Sequence, residues 1–265
     1  MSKLQVPLTD ENAPGGVRTK FPIAEFSQLT IQGEGPLVGI PCIFVRFGGC
    51  DYRCSFCDSM HAVKPDLVRQ LPQYTAGELF DRIQKLLEGT NVNWVVLTGG
   101  NPVLYDLYNL VIALKRAGRQ VAVETQGTRW KGWVSYLDSV VVSPKPPSAQ
   151  LTIPQQDSQM KRIQHFFEMY QTPNKAAIKI PVGDARDVEW AGLFFASIKA
   201  DLTTFGERGW PELFLSMVTQ PEDTRQDIAD RFDLLLPMAN RQEGLEGIRF
   251  FPQLHAMLWL HEKER

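Results

Sequence analysis

The sequence has few cysteines, no long apolar segment and no large excess of either charge. Only 4 of its 265 residues are cysteine, and its first residues show no secretory pattern, so a disulfide framework is not expected. No apolar run approaches the roughly 18 residues that a membrane-spanning helix needs. The formal net charge is −2, from 28 basic and 30 acidic residues, which gives no electrostatic indication of direct nucleic-acid binding. These absences predict a cytoplasmic protein that binds neither a membrane nor nucleic acid.

Internal repeats and low-complexity linkers are also lacking, which favours one domain. Residues 1–20 are polar and include Pro14-Gly15-Gly16. We therefore expect an N-terminal arm over residues 1–20, followed by a single domain over residues 21–265.

Strand-like and helix-like segments alternate along most of this domain. Strands are predicted near 40–48, 93–98, 119–124, 138–143, 176–181 and 212–218, and amphipathic helices near 75–89, 103–117, 156–172, 185–200 and 222–236. Thr75 and Glu78 have the spacing of a capping box at the start of the first of these helices. The alternation is typical of α/β proteins with a parallel sheet and right-handed crossovers. About six units, where a closed barrel has eight, predict an incomplete parallel (β/α)6-type barrel with its chemistry at the C-terminal ends of the strands.

Three of the four cysteines fall within eight residues. Cys50, Cys54 and Cys57 form a C-x3-C-x2-C pattern directly after the first of these strands. Three thiolates on one loop can hold three corners of a cubane iron–sulfur cluster and leave the fourth iron without a protein ligand. With His61 they could instead form a Cys3His zinc site, although no second Cys/His pair is present.

Polar loops follow the next three predicted strands as well. They contain two adjacent glycines, a carboxylate at Glu124 and a proline-stiffened lysine, in the segments Thr98-Gly99-Gly100-Asn101-Pro102, Glu124-Thr125-Gln126-Gly127-Thr128 and Ser143-Pro144-Lys145-Pro146-Pro147. Each segment alone could be a simple turn. Because the C-terminal ends of parallel strands meet at one rim, the four loops together predict a single site there.

The cysteine pattern resembles that of the radical S-adenosylmethionine (SAM) superfamily. The segments QGEGPLVGIPCIFVRFGGCDYRCSFCDS, TGGNP, ETQGT, SPKPP and FPQLH, in this order, more specifically resemble the 7-carboxy-7-deazaguanine synthase family. That family converts 6-carboxy-5,6,7,8-tetrahydropterin to 7-carboxy-7-deazaguanine with loss of ammonia, in the biosynthesis of queuosine and other 7-deazapurines. The resemblance implies a carbon–nitrogen lyase with a 4Fe-4S cluster, S-adenosyl-L-methionine and Mg2+ as cofactors. It also implies a homodimer, a small-molecule pterin substrate and a reducing protein such as flavodoxin or ferredoxin.

The resemblance assigns roles to particular residues. The cluster ligands would be Cys50, Cys54 and Cys57, and Ser59 would be the single protein ligand of the magnesium ion. Residues that would contact S-adenosylmethionine are Phe56, Cys57, Asp58, Gly100, Ser143, Pro144, Lys145 and Gln220. Residues that would contact the pterin are Ile31, Gln32, Gly33, Glu34, Arg46, Thr98 and His255. The implied chemistry is hydrogen abstraction at substrate C6, radical ring contraction and return of the hydrogen, so that the cofactor is regenerated.

One position departs from the common radical SAM pattern. Many members carry GGEP, whose glutamate commonly contacts the methionine amine of the cofactor, whereas this chain has Asn101 there. An asparagine occurs at this place in some members of the resembling family. Two alternative functions stay open at this stage: a radical SAM activating enzyme that acts on a partner protein, and a non-enzymatic zinc-binding module.

Overall fold

The computed structural model describes residues 19–170, 172, 175–201, 211–220 and 222–260. The predicted N-terminal arm lies outside the described residues except for residues 19 and 20. The strands are β1 (Phe21–Phe26), β2 (Thr30–Ile31), β3 (Pro41–Phe47), β4 (Gln73–Tyr74), β5 (Trp94–Gly99), β6 (Gln120–Thr125), β7 (Ser139–Val142), β8 (Ala176–Val182), β9 (Glu212–Met217) and β10 (Arg249–Phe251). The helices are α1 (Pro65–Val68), α2 (Ala76–Leu86), α3 (Tyr108–Arg116), α4 (Ile153–Met169), α5 (Ala185–Asp201), α6 (Arg225–Ala239) and α7 (Leu254–Trp259).

One sheet contains all of these strands, in the order β10-β9-β8-β7-β6-β5-β3-β1-β4, with β2 paired to β3. The pairs from β3 to β10 are parallel, whereas β1 runs antiparallel to β3 and β4 runs antiparallel to β1. Within the described ranges β4 and β10 end the sheet and do not pair with each other, so the barrel is open. The predicted α/β fold with an incomplete parallel barrel is confirmed.

The six predicted strands are all present, as β3 and β5 to β9. A seventh parallel strand, β10, was not predicted because its three residues are too short to show a pattern. The predicted helix near 103 begins only at Tyr108, since Pro102–Leu104 form a separate 3₁₀ turn. The capping box is confirmed: the Glu78 backbone N–H donates to Thr75 Oγ1 over 3.3 Å, and the Thr75 N–H donates to Glu78 Oε2 over 2.7 Å.

The helices cover one face of the sheet and leave the other face to line the barrel interior. Ile43, Val95 and Val121 share the main core with Leu79 of α2 and Leu110 of α3, and all five are fully buried. Strand residues alternate between two faces. The strand residues next to Ile43, Val95 and Val121 therefore face inward. No helix in the described ranges is both long and apolar enough to cross a membrane.

Candidate active site

The inner face of the barrel changes from apolar to polar along each strand. On β8, Ala177 is fully buried in a small apolar cluster, and Lys179 and Pro181 follow at the alternate positions and line a pocket. The same period of two extends from Cys42 to Arg46 on β3. The pocket therefore opens at the C-terminal ends of the parallel strands, where the polar loops were predicted to meet.

The cysteine loop forms one end of this pocket and is held by several separate hydrogen bonds. The Cys57 N–H donates to the Cys54 carbonyl over 3.2 Å, and the Ser55 N–H donates to the Ala149 carbonyl over 3.0 Å. The Gln155 side chain donates to the Asp51 carbonyl over 2.9 Å. The loop also packs against Ala149 and its neighbours in an apolar cluster, which consists of Tyr52, Cys54, Ala149 and Leu151.

The three thiols fit an iron–sulfur cluster better than a single zinc ion. All three are free cysteines that line the pocket. Zinc needs ligands that converge on one point, but no group of three or more His, Cys, Asp or Glu in the described ranges is arranged in that way. The side chain of His61 is 52% exposed and lies 4.0 Å from Glu25 Oε2, outside the pocket lining. A cubane instead places each thiolate on a different iron.

Burial keeps the cysteines protonated until a metal binds. It raises the pKa of the Cys50 thiol to about 12 and raises the pKa values of Cys54 and Cys57, while the charge of Lys145 acts in the opposite direction on all three. A metal ion deprotonates the thiols that coordinate it. Binding of a cluster by these thiols would therefore release protons.

Gly99, the last residue of β5, and Gly100, which follows it, let two backbone segments touch. A Cβ on Gly100 would lie 1.9 Å from the Gly49 carbonyl oxygen, and the Asn101 N–H donates to that same oxygen over 2.7 Å. Gly99 has φ +128°, which a side chain would strain. The glycines thus join the end of β5 directly to the cysteine loop.

Asn101 lies behind the pocket and is fully buried. Its amide donates to Asp51 Oδ1 over 3.1 Å and to Thr128 Oγ1 over 3.2 Å, and its Oδ1 accepts from Thr125 Oγ1 over 2.8 Å and from the Val103 N–H over 3.3 Å. A glutamate here would have no N–H to give Asp51. The asparagine therefore fastens the cysteine loop.

Most of the residues predicted for S-adenosylmethionine are brought together beside the cysteines. Lys145 Nζ donates to Ser143 Oγ over 2.7 Å, and the Lys145 backbone is held by Gln159 at 2.7 and 3.0 Å. Predicted residues that line the pocket are Phe56, Cys57, Asp58, Gly100, Ser143 and Lys145. Pro144 and Gln220 are outside the lining, and the Gln220 N–H donates to Asp223 within a turn.

The opposite wall of the pocket carries a buried group of charges. The carboxylate of Glu34 accepts from Lys179 Nζ and from Ser216 Oγ. Lys179 Nζ lies 3.6 Å from Glu124 Oε1, and Glu124 also accepts from Thr98 over 2.7 Å and from Gln32 over 3.2 Å.

These contacts keep Glu34 ionised despite its burial. Burial alone raises the pKa of its carboxyl, but the charge of Lys179, with His255 and the hydrogen bonds of Lys179 and Ser216, lowers that pKa to about 2. Burial likewise opposes the charge of Lys179, yet Glu34 and Glu124 outweigh it and raise the lysine pKa above its usual value. The wall is therefore a fixed set of two carboxylates and one ammonium.

Arg46 on β3 connects Glu25 of β1 to Ser59, just after the cysteine loop. Its Nε donates to Glu25 Oε2 over 3.1 Å, and its Nη1 donates to Ser59 Oγ over 2.9 Å. Ser59 in turn donates to Asp58 Oδ1 over 2.8 Å. The guanidinium has five N–H groups in a planar fork, so these bonds fix its plane while it lines the pocket.

Most of the residues predicted to contact the pterin line the pocket and a few do not, as was found for the residues predicted to contact S-adenosylmethionine. Gln32, Glu34, Arg46, Thr98 and His255 line the pocket, whereas Ile31 and Gly33 do not. A Cβ on Gly33 would lie 2.3 Å from His255 Nδ1, and the Gly33 carbonyl accepts from the Leu254 N–H over 3.1 Å. Gly33 therefore permits the close packing that places His255.

Sequence reasoning assigned no role to several pocket residues, chiefly Lys179 and Gln126, together with Glu25, Ser27, Thr219 and Gln253, nor to Ser216, which donates to Glu34 from outside the lining. One signal was available: Lys179 is the only charged residue in the strand Ala176–Val182, where a lysine must be paired if it is buried. Glu124 had been noted as a carboxylate at the rim, without an assigned role.

Comparison with known proteins agrees with this geometry. The family model described as the Radical SAM superfamily matches residues 44–143. The 7-carboxy-7-deazaguanine synthase of Bacillus cereus is 29% identical over 91% of this chain and 97% of the relative. The enzyme of the same name from Halobacterium salinarum is 30% identical, with 95% of each chain covered. The crystal structure of QueE from Escherichia coli shares the fold, with a TM-score of 0.58 and 24% identity over 89% of this chain and 95% of that chain.

The open barrel, the cysteine loop and the superfamily match define a radical SAM enzyme, a class that uses a 4Fe-4S cluster and S-adenosylmethionine. These findings exclude a non-enzymatic zinc-binding module as the explanation of the cysteine pattern. Within the superfamily, the chain belongs to the 7-carboxy-7-deazaguanine synthase family. The predicted family and enzyme class are thereby confirmed, and the activating-enzyme alternative is set aside.

Proposed function

We propose that the pocket rearranges 6-carboxy-5,6,7,8-tetrahydropterin to 7-carboxy-7-deazaguanine with loss of ammonia, as a step in queuosine and 7-deazapurine biosynthesis. The observation that carries this proposal is the pairing, within one pocket, of the cysteine loop with an ionised, buried Glu34. A carboxylate accepts hydrogen bonds only. It therefore suits the guanidine-like N–H edge of a pterin.

The remaining pterin contacts follow from the same wall. Gln32 offers both a donor and an acceptor beside Glu34, whose backbone N–H already donates to Gln32 Oε1 over 3.1 Å. Arg46 offers a planar fork to the substrate carboxylate. Thr98 and His255 are the other predicted residues that line the pocket, the contacts of Ile31 and Gly33 stay predictions, and Lys179 holds Glu34 ionised.

For the cofactors, the chain supplies ligands and positions, and the difficult chemistry belongs to the cofactors themselves. Cys50, Cys54 and Cys57 would hold the 4Fe-4S cluster. The cluster and S-adenosylmethionine, when bound, supply the one-electron chemistry that removes hydrogen from the substrate. Phe56, Asp58, Gly100, Ser143 and Lys145 support the cofactor from positions around the cysteines, and the contacts of Pro144 and Gln220 stay predictions.

Magnesium fits beside Ser59 on the chemistry of the donors present. Mg2+ prefers oxygen ligands and keeps several waters. Ser59 Oγ has two lone pairs, of which one accepts from Arg46, and Asp58 lies within hydrogen-bond distance. We propose that Ser59 is the protein ligand, with substrate oxygens and water as the others. The single domain over residues 21–265, the homodimer, the flavodoxin- or ferredoxin-like reductant and the cytoplasmic location stay predictions.

The test is turnover of the free pterin. Protein reconstituted anaerobically with iron and sulfide should bind about four irons per chain. It should then convert 6-carboxytetrahydropterin to 7-carboxy-7-deazaguanine in the presence of S-adenosylmethionine, Mg2+ and a reductant, with the product measured by mass spectrometry. The Cys54→Ala variant, which lacks one cluster ligand, should lose both the iron and the activity.

Two results would contradict the proposal. The substrate assignment fails if the iron-loaded protein cleaves S-adenosylmethionine but leaves the pterin unchanged. The regeneration of the cofactor fails if 5′-deoxyadenosine accumulates one-for-one with product.

Omission of Mg2+ should lower turnover of the unaltered chain more than that of Ser59→Ala.

A further inference from the structure

The ammonium group of Lys179 has more hydrogen-bond donors than its neighbours accept. An ammonium has three N–H groups. One of them donates to Glu34 Oε2. Glu124 Oε1 lies 3.6 Å from Nζ, which is close enough for an ion pair but too far for a hydrogen bond. Within the described ranges, two N–H groups of Lys179 therefore have no acceptor.

The lysine nitrogen lies at the pocket wall. Lys179 extends from the inner face of β8 and lines the pocket, with 9% of its side chain exposed. The two carboxylates beside its Nζ, those of Glu34 and Glu124, line the pocket as well. Glu124 already accepts from Thr98 and Gln32. A molecule bound against this wall can therefore supply the acceptor that the remaining N–H groups of Lys179 lack.

Glu34 offers acceptors directly beside these donors. Each oxygen of its carboxylate has two lone pairs. The bond from Ser216 uses one of them on Oε1, and the bond from Lys179 uses one on Oε2. One lone pair on each oxygen remains, and the glutamate lines the pocket. The hydrogen-bonded pair of Glu34 and Lys179 thus offers two acceptors followed by a donor.

This order is complementary to one edge of a pterin, where the 2-amino group and N3–H donate and the oxygen on C4 accepts. We propose that Lys179 Nζ donates to the C4 oxygen of the substrate while Glu34 accepts from the two neighbouring N–H groups. Lys179 is then a specificity-determining residue that selects a 2-amino-4-oxo ring. The inference rests on the proposed function, because it requires that a pterin bind against Glu34.

The experiment is a binding cycle with two ligands and two proteins. The ligands are 6-carboxypterin and its 4-thioxo analogue, which keeps both N–H groups and replaces the oxygen by sulfur, a weak acceptor. Both rings are aromatic, so neither has the hydrogen at C6 that turnover requires. The proteins are the unaltered chain and Lys179→Met, both loaded with iron.

Dissociation constants are measured anaerobically with S-adenosylmethionine and Mg2+ but without a reductant. The medium is slightly acidic, so that both ligands keep the proton on N3. The unaltered chain should prefer the oxo ligand. Lys179→Met should reduce that preference about tenfold, as expected for the loss of one hydrogen bond from a charged donor.

The ratio of the two dissociation constants separates this contact from the support that Lys179 gives to Glu34. Loss of that support weakens both ligands alike, and the larger size of sulfur affects both proteins alike. Lys85→Met removes an exposed lysine of α2 and should leave the preference unchanged. If Lys179→Met does not fold, Glu124→Gln is combined with it, so that one carboxylate is lost together with the ammonium. The double variant should show the same loss of preference relative to Glu124→Gln alone.

Two outcomes overturn the inference. If the unaltered chain has no preference, or if Lys179→Met keeps it, Lys179 only holds Glu34 ionised, while the proposed function stands. If the unaltered chain binds neither ligand, no pterin edge meets this wall and the inference fails. Turnover of 6-carboxytetrahydropterin by the same preparation then decides whether the proposed function fails with it.

Discussion

The two ends of the pocket are held together in different ways. At the cysteine end, the loop is fastened by separate hydrogen bonds. Its Ser55 N–H donates to the Ala149 carbonyl, and it accepts from the Gln155 amide, the Asn101 side chain and the Asn101 backbone N–H. At the charged end, two carboxylates from different elements each have separate hydrogen bonds from neutral groups but share one buried cation, the ammonium of Lys179. The first arrangement is distributed over many bonds, and the second is concentrated in one residue.

This difference predicts how each end responds to substitution. Loss of one bond among many costs little, because the others keep the loop in place. Loss of the one cation between the largely buried Glu34 and the half-buried Glu124 leaves uncompensated charge. Single substitutions should therefore have large effects at the charged end and smaller effects around the cysteines, provided that the cluster ligands themselves are kept.

The largest effect is expected for Lys179→Met. The variant has an unbranched apolar side chain one atom shorter than that of lysine, and it leaves the largely buried Glu34 and the half-buried Glu124 without their shared partner. Removal of one partner from a buried ion pair costs about 3–5 kcal/mol. Urea denaturation of the unaltered chain and of Lys179→Met at neutral pH should show that the free energy of unfolding of the variant is lower by about this amount. Pterin turnover should fall as well.

Lys85→Met is the matched control, because Lys85 is exposed on α2. It should change the free energy of unfolding by no more than about 0.5 kcal/mol. If the two lysine variants were equally stable, the charged end would not depend on Lys179, and the contrast between the two ends would be lost.

The second effect is a dependence of stability on pH at Glu34. Its pKa is about 2 in the folded protein against the ordinary 4.5. A lowered pKa contributes stability that is fully present above pH 4.5 and is lost as the pH falls towards 2. Lowering a pKa by one corresponds to about 1.4 kcal/mol, so the lowered pKa of Glu34 contributes about 3 kcal/mol to the free energy of unfolding.

Urea denaturation of the unaltered chain and of Glu34→Gln at several pH values measures this contribution. The stability difference between the two proteins should be largest above pH 4.5 and should shrink as the medium is made more acidic. A difference that stayed constant or grew on acidification would mean that Lys179 does not hold Glu34 ionised.

The same contrast explains what could be predicted from the sequence. The cysteine loop is contiguous, so its spacing, its place after a strand and its chemistry were all visible in one segment. The partners of Glu34 are 145 residues away at Lys179 and 182 residues away at Ser216. Lys179 itself lies within an apolar segment that was predicted only as a strand. Only the register of the folded barrel brings these side chains together.

The strand pattern nevertheless contained usable information. On β8, the alternate residues Ala177, Lys179 and Pro181 share the inner face. The polar residue, Lys179, lies nearer the C-terminal end of the strand than the apolar Ala177 does. Applying the period of two within each predicted strand, in addition to the loops that follow, would have placed Lys179 in the pocket. The role of Asn101 could not be predicted in this way, because its partners Asp51 and Thr128 come from two other loops.

Asn101→Asp should have an intermediate effect. The substitution preserves shape but exchanges two N–H donors for an acceptor that faces Asp51. An unsatisfied buried group costs about 1–3 kcal/mol, and like charges add to that cost. We expect the free energy of unfolding to fall by about 2 kcal/mol and the iron content after reconstitution to fall as well. The exposed Asn91→Asp is the control, and equal iron contents in the two variants would mean that Asn101 does not fasten the loop.

The smallest effect is expected for Ser55→Ala, which tests the distributed end directly. Ser55 lies between Cys54 and Cys57, two of the proposed cluster ligands, and its hydroxyl donates to the Ser148 carbonyl over 2.5 Å at the surface. Its backbone N–H still donates to Ala149 after the substitution, so the loop keeps its other attachments. The free energy of unfolding should fall by about 0.5–1 kcal/mol, with the iron content unchanged. If this one exposed hydroxyl proved necessary for iron retention, the cysteine end would depend on a single residue as the charged end does. The position of a residue in the chain, more than the number of hydrogen bonds around it, would then decide how large the effect of its substitution is.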